Sequence, residues 1–354
     1  MNPLTAQLTC RWARALGRPA PLPMALTFNV TRRCNYRCAT CRIADSASAE
    51  LTLPQYEAVF RSLGDSPWWV TFTGGEIFLR PDIGEIIGAC CRICRPRAVT
   101  IPTNGSFPGR VAAAAAALGA AHPGTRFTVN VSIDAVGAAH DRIRGAAGAY
   151  GRAADTLRSL ATLGLGNVAA GIGTVLSTAN AATFLRDRPA LSGLSEAPAA
   201  VEIAGVRREL GNQGTAPVPA PAEYRAIARA LAAERTAGGA RQRLVLALRR
   251  EYHRHALQVL AGGARLPCYA GIAFAHVMPD GEVWACCVRG DRLGSLPDFG
   301  NDFGALWRSP QAGGARRAIA ARGCTCTMAN AFYNNAALSP AIALRAAGSA
   351  VLGA

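Results

Sequence analysis

The stretch TRRCNYRCATC, residues 31–41, holds Cys34, Cys38 and Cys41 with gaps of three and two residues. A structural zinc site takes four ligands, and a disulfide framework takes an even number of cysteines. Three thiolates on one loop leave a coordination position open on a metal centre, which suggests chemistry at the metal. A three-ligand zinc site and plain buried thiols are the plainer alternatives. Five further cysteines, Cys268, Cys286, Cys287, Cys324 and Cys326, gather towards the other end of the chain. A third group, Cys90, Cys91 and Cys94 in CCRIC, falls in a helical pattern and reads as buried free thiols. His140, His253, His255 and His276 each stand alone and read first as structural. His140 is the one that falls near the expected active face.

These residues must be held by elements that the apolar pattern reveals. The chain has 354 residues, half of them hydrophobic, enough for a large core and one or two domains. ALTFNV (25–30) reads as a strand that delivers the three-cysteine loop. LPQYEAVFRSL follows as a helix with Thr52 at its N-cap. WWVTFTGG is a strand running into a glycine turn, and PDIGEIIGACCRIC a helix with Pro81 in its first turn. AVTIPTNG, RFTVNVSID, NVAAGIGTVLS and AAVEIAGV read as four more strands with helices between them. Six strand–helix alternations predict an α/β fold with a parallel sheet closing as a partial (β/α)6 barrel. Chemistry in such folds sits in the loops after the strands' C-terminal ends. The cysteines, GGE, TNG and SID all fall there. Glu202 and Arg207, after strand six, point at a substrate on barrel geometry alone.

Composition narrows the class. No uncharged apolar run approaches the roughly 18 residues of a spanning helix. The N-terminal MNPLTAQLTCRWARALGRPAPLP shows no secretory h-region, so a reducing cytoplasm is expected for the twelve cysteines, and metal binding rather than disulfides. The net charge of +16 comes entirely from arginine, 38 residues without one lysine, beside abundant alanine and glycine. That is the mark of a GC-rich genome. The arginines are scattered without aromatic interleaving, so a nucleic-acid platform is disfavoured. An acidic substrate or a membrane surface makes better use of the charge.

TRRCNYRCATC resembles the CxxxCxxC signature of the radical SAM superfamily. TFTGGEIF, TNG, VSIDA and HDRIRGAAGAYGRAADTLRSL fall in order where that family has its further motifs, so the resemblance spans residues 24–205. It implies that Cys34, Cys38 and Cys41 bind three irons of a 4Fe–4S cluster. The fourth iron takes S-adenosylmethionine, whose reductive cleavage yields a 5′-deoxyadenosyl radical that abstracts hydrogen from a substrate. It also implies that Gly74, Gly75 and Glu76 hold the methionine amino group. Ser132 and Asp134 lie near the ribose or carboxylate, Arg144 pairs with the carboxylate, and Gly171 to Val175 touch the adenine. Two departures stand out. Thr40 replaces the usual aromatic before the third cysteine, which passes adenine stacking to Tyr36 or elsewhere, and Ile77 replaces the usual proline after GGE.

GIAFAHVMPDGEVWACC reads as a β-hairpin around Pro-Asp-Gly. The spacing from Cys268 through Gly281 to Cys286, followed by GCTC, resembles a SPASM/twitch extension. That implies one auxiliary 4Fe–4S cluster on Cys268, Cys286, Cys324 and Cys326. Cys287 is the substitute ligand, since adjacent strand residues face opposite ways; four-sulfur zinc is the competing site. The expected domains are an N-terminal extension (1–23), the radical SAM core (24–206), a linker and long helix (207–261), the auxiliary module (262–335) and an apolar tail (336–354). Both ends are amphipathic or apolar, and packing on the barrel is preferred to membrane contact. The expected partners are a one-electron donor such as flavodoxin or ferredoxin and a peptide, small-metabolite or lipid substrate, with net oxidation aided by the auxiliary cluster. A catalytically inactive metal-stabilised binding protein and a nucleic-acid-modifying enzyme are the competing readings.

Overall fold

A computed structural model of the chain describes residues 3–16, 21–45, 48–195, 199–205, 207–212, 218–236, 238–263, 266–322 and 325–352. Six strands run in parallel: β1 (Ala25–Asn29), β2 (Trp69–Thr73), β3 (Ala98–Thr103), β4 (Arg126–Ser132), β5 (Val168–Leu176) and β6 (Ala200–Ile203). They stand side by side in chain order. The helices between them cover one face: α2 (Leu53–Leu63), α3 (Ile83–Cys94), α4 (Pro108–Ala121), α5 (Ala138–Arg144), α6 (Ala149–Ala161) and α7 (Ala181–Ser192). An N-terminal helix α1 (Pro3–Leu16) precedes them. This is the α/β partial-barrel architecture that the alternation predicts.

The two faces of the sheet differ in chemistry. Phe28 of β1 stacks on Phe72 of β2 at 5.5 Å and meets Phe60 of α2 edge-on at 5.4 Å. Those residues therefore face the helices. Side chains alternate along a strand, so Thr27, Asn29, Thr71 and Thr73 face the other, concave side. The same alternation puts Thr128, Asn130 and Ser132 of β4 and Glu202 of β6 on that side, each half-buried between buried neighbours. An apolar layer beneath the helices supplies the core, and a polar lumen is left for ligands.

The C-terminal half departs from the expected layout. The segment after β6 holds two helices, α8 (Pro221–Ala232) and α9 (Ala240–Leu260), rather than one long one. The hairpin is there, with β7 (Phe274–Val277) and β8 (Glu282–Trp284) antiparallel around Gly281 at φ +86°. A third strand, β9 (Arg292–Ser295), extends it. The hairpin does not stand apart: β7 pairs in parallel with β1, so the barrel sheet continues through it as β6-β5-β4-β3-β2-β1-β7-β8-β9. Phe274, Val283, Leu293 and Trp307 share one apolar cluster with Phe28 and Phe72. Helices α10 (Phe303–Arg308), α11 (Pro310–Arg322), α12 (Ala329–Ala337) and α13 (Pro340–Leu352) complete the chain. On the concave side, Asn330 of α12 donates to Thr27 Oγ1 of β1 at 3.0 Å. The Tyr252 hydroxyl of α9 accepts from Ile203 N of β6 and donates to the Thr327 carbonyl, tying the edge strand β6 to the segment before α12.

Candidate active site

The cysteine loop leaves β1 and is fastened by four different parts of the chain. Val30 N donates to Thr73 O, Gly75 N to Thr31 O and Glu76 N to Arg33 O, each at 2.8 Å, so the β1–β2 ladder continues into the loop. Arg37 N donates to Arg144 O and Ala39 N to Ile143 O at the end of α5. Arg42 N donates to Leu210 O, and Asn212 Nδ2 to Thr40 O, from the turn after β6. Asn104 Nδ2, in the TNG segment, donates to Asn35 Oδ1 at 2.9 Å. These contacts hold Cys34, Cys38 and Cys41, all half-buried, on one short arc.

The glycines of GGE and IRG have a steric reason. A Cβ on Gly74 would sit 2.3 Å from Thr31 O, and one on Gly75 would sit 2.1 Å from Arg33 O. A Cβ on Gly145, at φ +62°, would lie 2.4 Å from Arg37 O. All three obstacles are backbone atoms of the cysteine loop, which cannot swing aside as a side chain could. Glu76 is fully buried and binds the ends of β2 and β3 together. Its carboxylate accepts from Phe78 N at 3.1 Å, Thr103 Oγ1 at 2.9 Å and Asn104 N at 2.7 Å. Burial raises its pKa, and these donors oppose the rise.

Charge enters the site through Arg144. Its Nη2 lies 2.8 Å from Asp134 Oδ2, and its Nη1 lies 3.9 Å from Cys38 Sγ. Asp134 also accepts from Val175 N at 2.9 Å, and its own N–H donates to His140 Nδ1 at 3.1 Å. Burial pushes His140 down to about 3, so the ring is a neutral acceptor that supports Asp134 rather than a proton carrier at neutral pH. Ser132 closes β4 on the concave side, in register with Gly173 of β5. Tyr36 is buried, and its hydroxyl accepts from Arg152 Nε at 3.2 Å while that guanidinium lies 5.7 Å from its ring centre.

At the other cysteine group, Cys268, Cys286 and Cys326 are half-buried and Cys324 lies outside the described residues. Cys287 is different: it is fully buried, with Sγ 3.0 Å from Met328 Sδ. Its thiol, the Glu209 carboxylate and the His276 ring offer atoms within 4.8 Å of one another, all buried. His276 Nδ1 has no hydrogen-bond partner. The turn bearing Glu209 is the one that binds Arg42 of the cysteine loop. Motif reading passed over Glu209 and took His276 as structural. Residues 209, 276 and 287 have no common local pattern; the β7–β8 pairing and the bonds from Arg208 N to Val288 O and Glu209 N to Cys287 O bring them together. Glu202 and Arg207 form an ion pair at 3.0 Å beside them. Cys90, Cys91 and Cys94 are buried on the inner face of α3, with Cys94 Sγ against Phe60 O at 3.4 Å. His253 bonds the Tyr224 hydroxyl at 2.7 Å, and His255 faces Cys326 O at 3.2 Å.

A loop of three cysteines at the C-terminal end of a parallel barrel, interlocked with a Gly-Gly-Glu turn, defines a class. Residues 28–184 match the Radical SAM superfamily and form a radical SAM domain. Over 149 residues the chain is 28% identical to the antilisterial bacteriocin subtilosin biosynthesis protein AlbA of Bacillus subtilis (strain 168), covering 41% of this chain and 32% of that one. It is 31% identical over 156 residues to pre-heme d1 synthase of Dinoroseobacter shibae, covering 42% and 36%. The chain thus spans about a third of the length of these curated relatives. Among solved structures it resembles Streptococcus suis SuiB bound to precursor peptide SuiA, with a TM-score of 0.61 at 15% identity over 85% of this chain and 68% of that one. It also resembles anSMEcpe with bound AdoMet and a peptide, with a TM-score of 0.56 at 16% identity over 82% and 81%. These two solved structures share the fold of this chain.

Radical SAM domains use a 4Fe–4S cluster and S-adenosylmethionine, and the residues here fit both. Three thiols share one arc, and Arg144, buried with its Nε unpartnered, stands beside them as a ready donor to an anionic group. Burial pushes the Cys41 thiol up to about 11 and raises Cys34, so a metal bound there would have to displace the protons that burial favours.

Proposed function

We propose that the chain is a radical SAM enzyme in which Cys34, Cys38 and Cys41 ligate a 4Fe–4S cluster. Bound there, the cluster supplies the electron that cleaves S-adenosylmethionine, and the 5′-deoxyadenosyl radical so formed abstracts hydrogen from substrate. The observation that carries this reading is Arg144, held between Asp134 and Cys38 with one guanidinium nitrogen open. It is the partner for the methionine carboxylate. Gly74, Gly75 and Glu76 edge the amino end, with Glu76 acting chiefly by fixing the turn. Ser132 lies on the ribose side. Asp134 acts through Arg144, and Gly171 to Val175 of β5 form the adenine wall.

Cys268, Cys286 and Cys326, with Cys324, are the proposed ligands of an auxiliary 4Fe–4S cluster. The half-buried state of Cys286, against the complete burial of Cys287, supports Cys286 as the ligand. Full cysteine ligation gives an electron acceptor, so a net two-electron oxidation is the leading outcome. A flavodoxin- or ferredoxin-type protein is the electron source. The favoured substrate is a ribosomally made peptide, because AlbA is named for bacteriocin biosynthesis and SuiB and anSMEcpe were solved with peptides.

Anaerobic reconstitution tests this. Wild type should hold about eight irons and a Cys34→Ala, Cys38→Ala, Cys41→Ala variant about four, with 5′-deoxyadenosine formed only by wild type. About four irons in wild type and near none in the variant would remove the auxiliary cluster. Fully loaded wild type that does not cleave S-adenosylmethionine would point to a metal-stabilised binding protein.

Cys287 favours a second net reaction. A thiol buried beside Glu209 and His276, on the turn-bound side of the cysteine loop, supports a role in returning a hydrogen atom to a substrate carbon radical. The S–H bond breaks, a C–H bond forms, and the sulfur radical then takes one electron from the donor protein and one proton through Glu209. The substrate is left at its own oxidation level, as in epimerisation, while two electrons and one proton from outside convert S-adenosylmethionine to methionine and 5′-deoxyadenosine. Turnover of a peptide substrate in D2O separates the two readings. One deuterium on the product carbon, lost in Cys287→Ala while S-adenosylmethionine cleavage continues, supports hydrogen return; a dehydrogenated product supports oxidation.

A further inference from the structure

Helix α1 presents two faces. Cys10 and Ala13 are buried in the main core. On the opposite side Leu8, Trp12 and Leu16, spaced four apart, form one exposed row with more than half of each side chain in solvent. The helix is not loosely attached. Gln7 Nε2 donates to Ala337 O at 2.6 Å, and the Arg14 guanidinium lies 5.7 Å from the Tyr269 ring centre. Beside the row an open groove of about 630 Å³ runs to Pro267 and Tyr269. Three residues past Ala337 begins α13, which exposes Leu344 and Val351 almost completely. Half of the large exposed hydrophobic side chains of the described residues lie on these two helices.

The charge next to this row is positive. Residues 1–24 carry three arginines and no acidic residue. Arg11 and Arg14 flank the apolar row on one side. Arg345 of α13 is paired inward with Glu251. A second copy of the chain would bring like charge against like charge, which disfavours a homodimer here. The row is the convex outer face of a surface helix, with a tryptophan at its centre and arginines at its flank. That is the pattern of a helix lying at a lipid–water boundary, where apolar side chains enter the acyl region and arginines reach anionic headgroups.

We infer that α1 docks this protein on an anionic membrane surface. No helix of the described residues is long and apolar enough to cross a membrane, so the contact is peripheral. The inference stands independently of the proposed reaction.

Flotation of the full chain with vesicles tests it, using equal parts phosphatidylglycerol and phosphatidylcholine against pure phosphatidylcholine. Partitioning should be at least tenfold stronger on the anionic vesicles and fall at least fivefold in 0.5 M NaCl. The Leu8→Gln, Trp12→Gln, Leu16→Gln variant should lose it at least tenfold while keeping the wild-type thermal midpoint, since all three side chains are exposed. Trp12→Gln alone should abolish the blue shift of tryptophan emission on vesicle addition. No flotation, equal binding to neutral vesicles, or an unchanged triple variant overturns the inference. So does a dimer in sedimentation velocity that the triple variant dissolves, because the row would then be covered by a second copy.

Discussion

Replacing Arg144 by methionine tests the electrostatic centre of the site directly. The guanidinium lies 2.8 Å from a carboxylate whose residue, Asp134, is only 3% exposed. Removing one member of a buried pair leaves an uncompensated charge, at a cost of about 3–5 kcal/mol. The loss depends on pH. Burial raises the pKa of Asp134 and Arg144 opposes that rise. Without Arg144, burial acts with less opposition, and folded Asp134 holds a proton that the unfolded chain releases. A carboxyl raised on folding contributes stability at low pH that is lost as pH rises through its folded pKa. The variant's deficit should therefore be largest at pH 8 and shrink towards pH 5.5. Anaerobic urea unfolding of the metal-free chain measures both effects. Adding Asp134→Asn removes the stranded charge and should bring stability back to within about 1 kcal/mol of wild type. The double variant, reconstituted with iron and sulfide, should still fail to bind radiolabelled S-adenosylmethionine in equilibrium dialysis. A single-variant loss below about 1 kcal/mol, or one that does not change with pH, would refute the buried-pair reasoning. Retained binding in the double variant would refute the role of Arg144 as the carboxylate partner.

Three further outcomes are expected. Gly145→Ala should cost about 1–3 kcal/mol from its left-handed φ, and the clash with Arg37 O should lower iron at the N-terminal site while far-UV circular dichroism stays unchanged. His140 and His253 are pushed down to about 3 and about 4 by burial, so each supports stability above pH 6.5 and loses it as pH falls. Each should cost up to about 2 kcal/mol at pH 5, and their ring resonances should remain those of neutral imidazole there. Cys90, Cys91 and Cys94 changed together to alanine should leave the iron count intact and lower the unfolding midpoint, because they fill core space and bind no metal.

The first half of the chain was legible because its signals are local. The strand ALTFNV, the helix 53–63 and the hairpin at Pro279-Asp280-Gly281 each follow from periodicity or turn chemistry within a dozen residues. Thr52 N donates to Gln55 Oε1 at 2.8 Å, as a capping pattern predicts. The second half was less legible because its decisive contacts are distant. Nothing near residue 274 announces that β7 will lie parallel to β1 some 250 residues earlier, rather than form a module of its own. The break between α8 and α9, at residues 233–239, was hidden by a sequence of good helix formers around Gly238 and Gly239. The surroundings of Tyr36 show the same limit: its contact with Arg152, more than a hundred residues away, has no signal in the neighbouring sequence.

The interlock between the GGE turn and the cysteine loop changes what those motifs mean. A motif read residue by residue assigns each position a ligand contact. Here Gly74 and Gly75 are glycine because the backbone carbonyls of Thr31 and Arg33 occupy the space a side chain would need. Glu76 is buried under three donors that tie β2 to β3, one of them Asn104 N, whose side chain in turn reaches Asn35 between the first two cysteines. A change at any of these positions moves the cysteine arc before it touches a ligand. Loss of iron and loss of S-adenosylmethionine binding should therefore go together in Gly75→Ala and Glu76→Gln. They should separate in Arg144→Met, where the loop's backbone bonds to residues 143 and 144 are kept and only the guanidinium is gone. On the proposed reading, the motif divides into residues that would build the metal site and one that would read the cofactor held there.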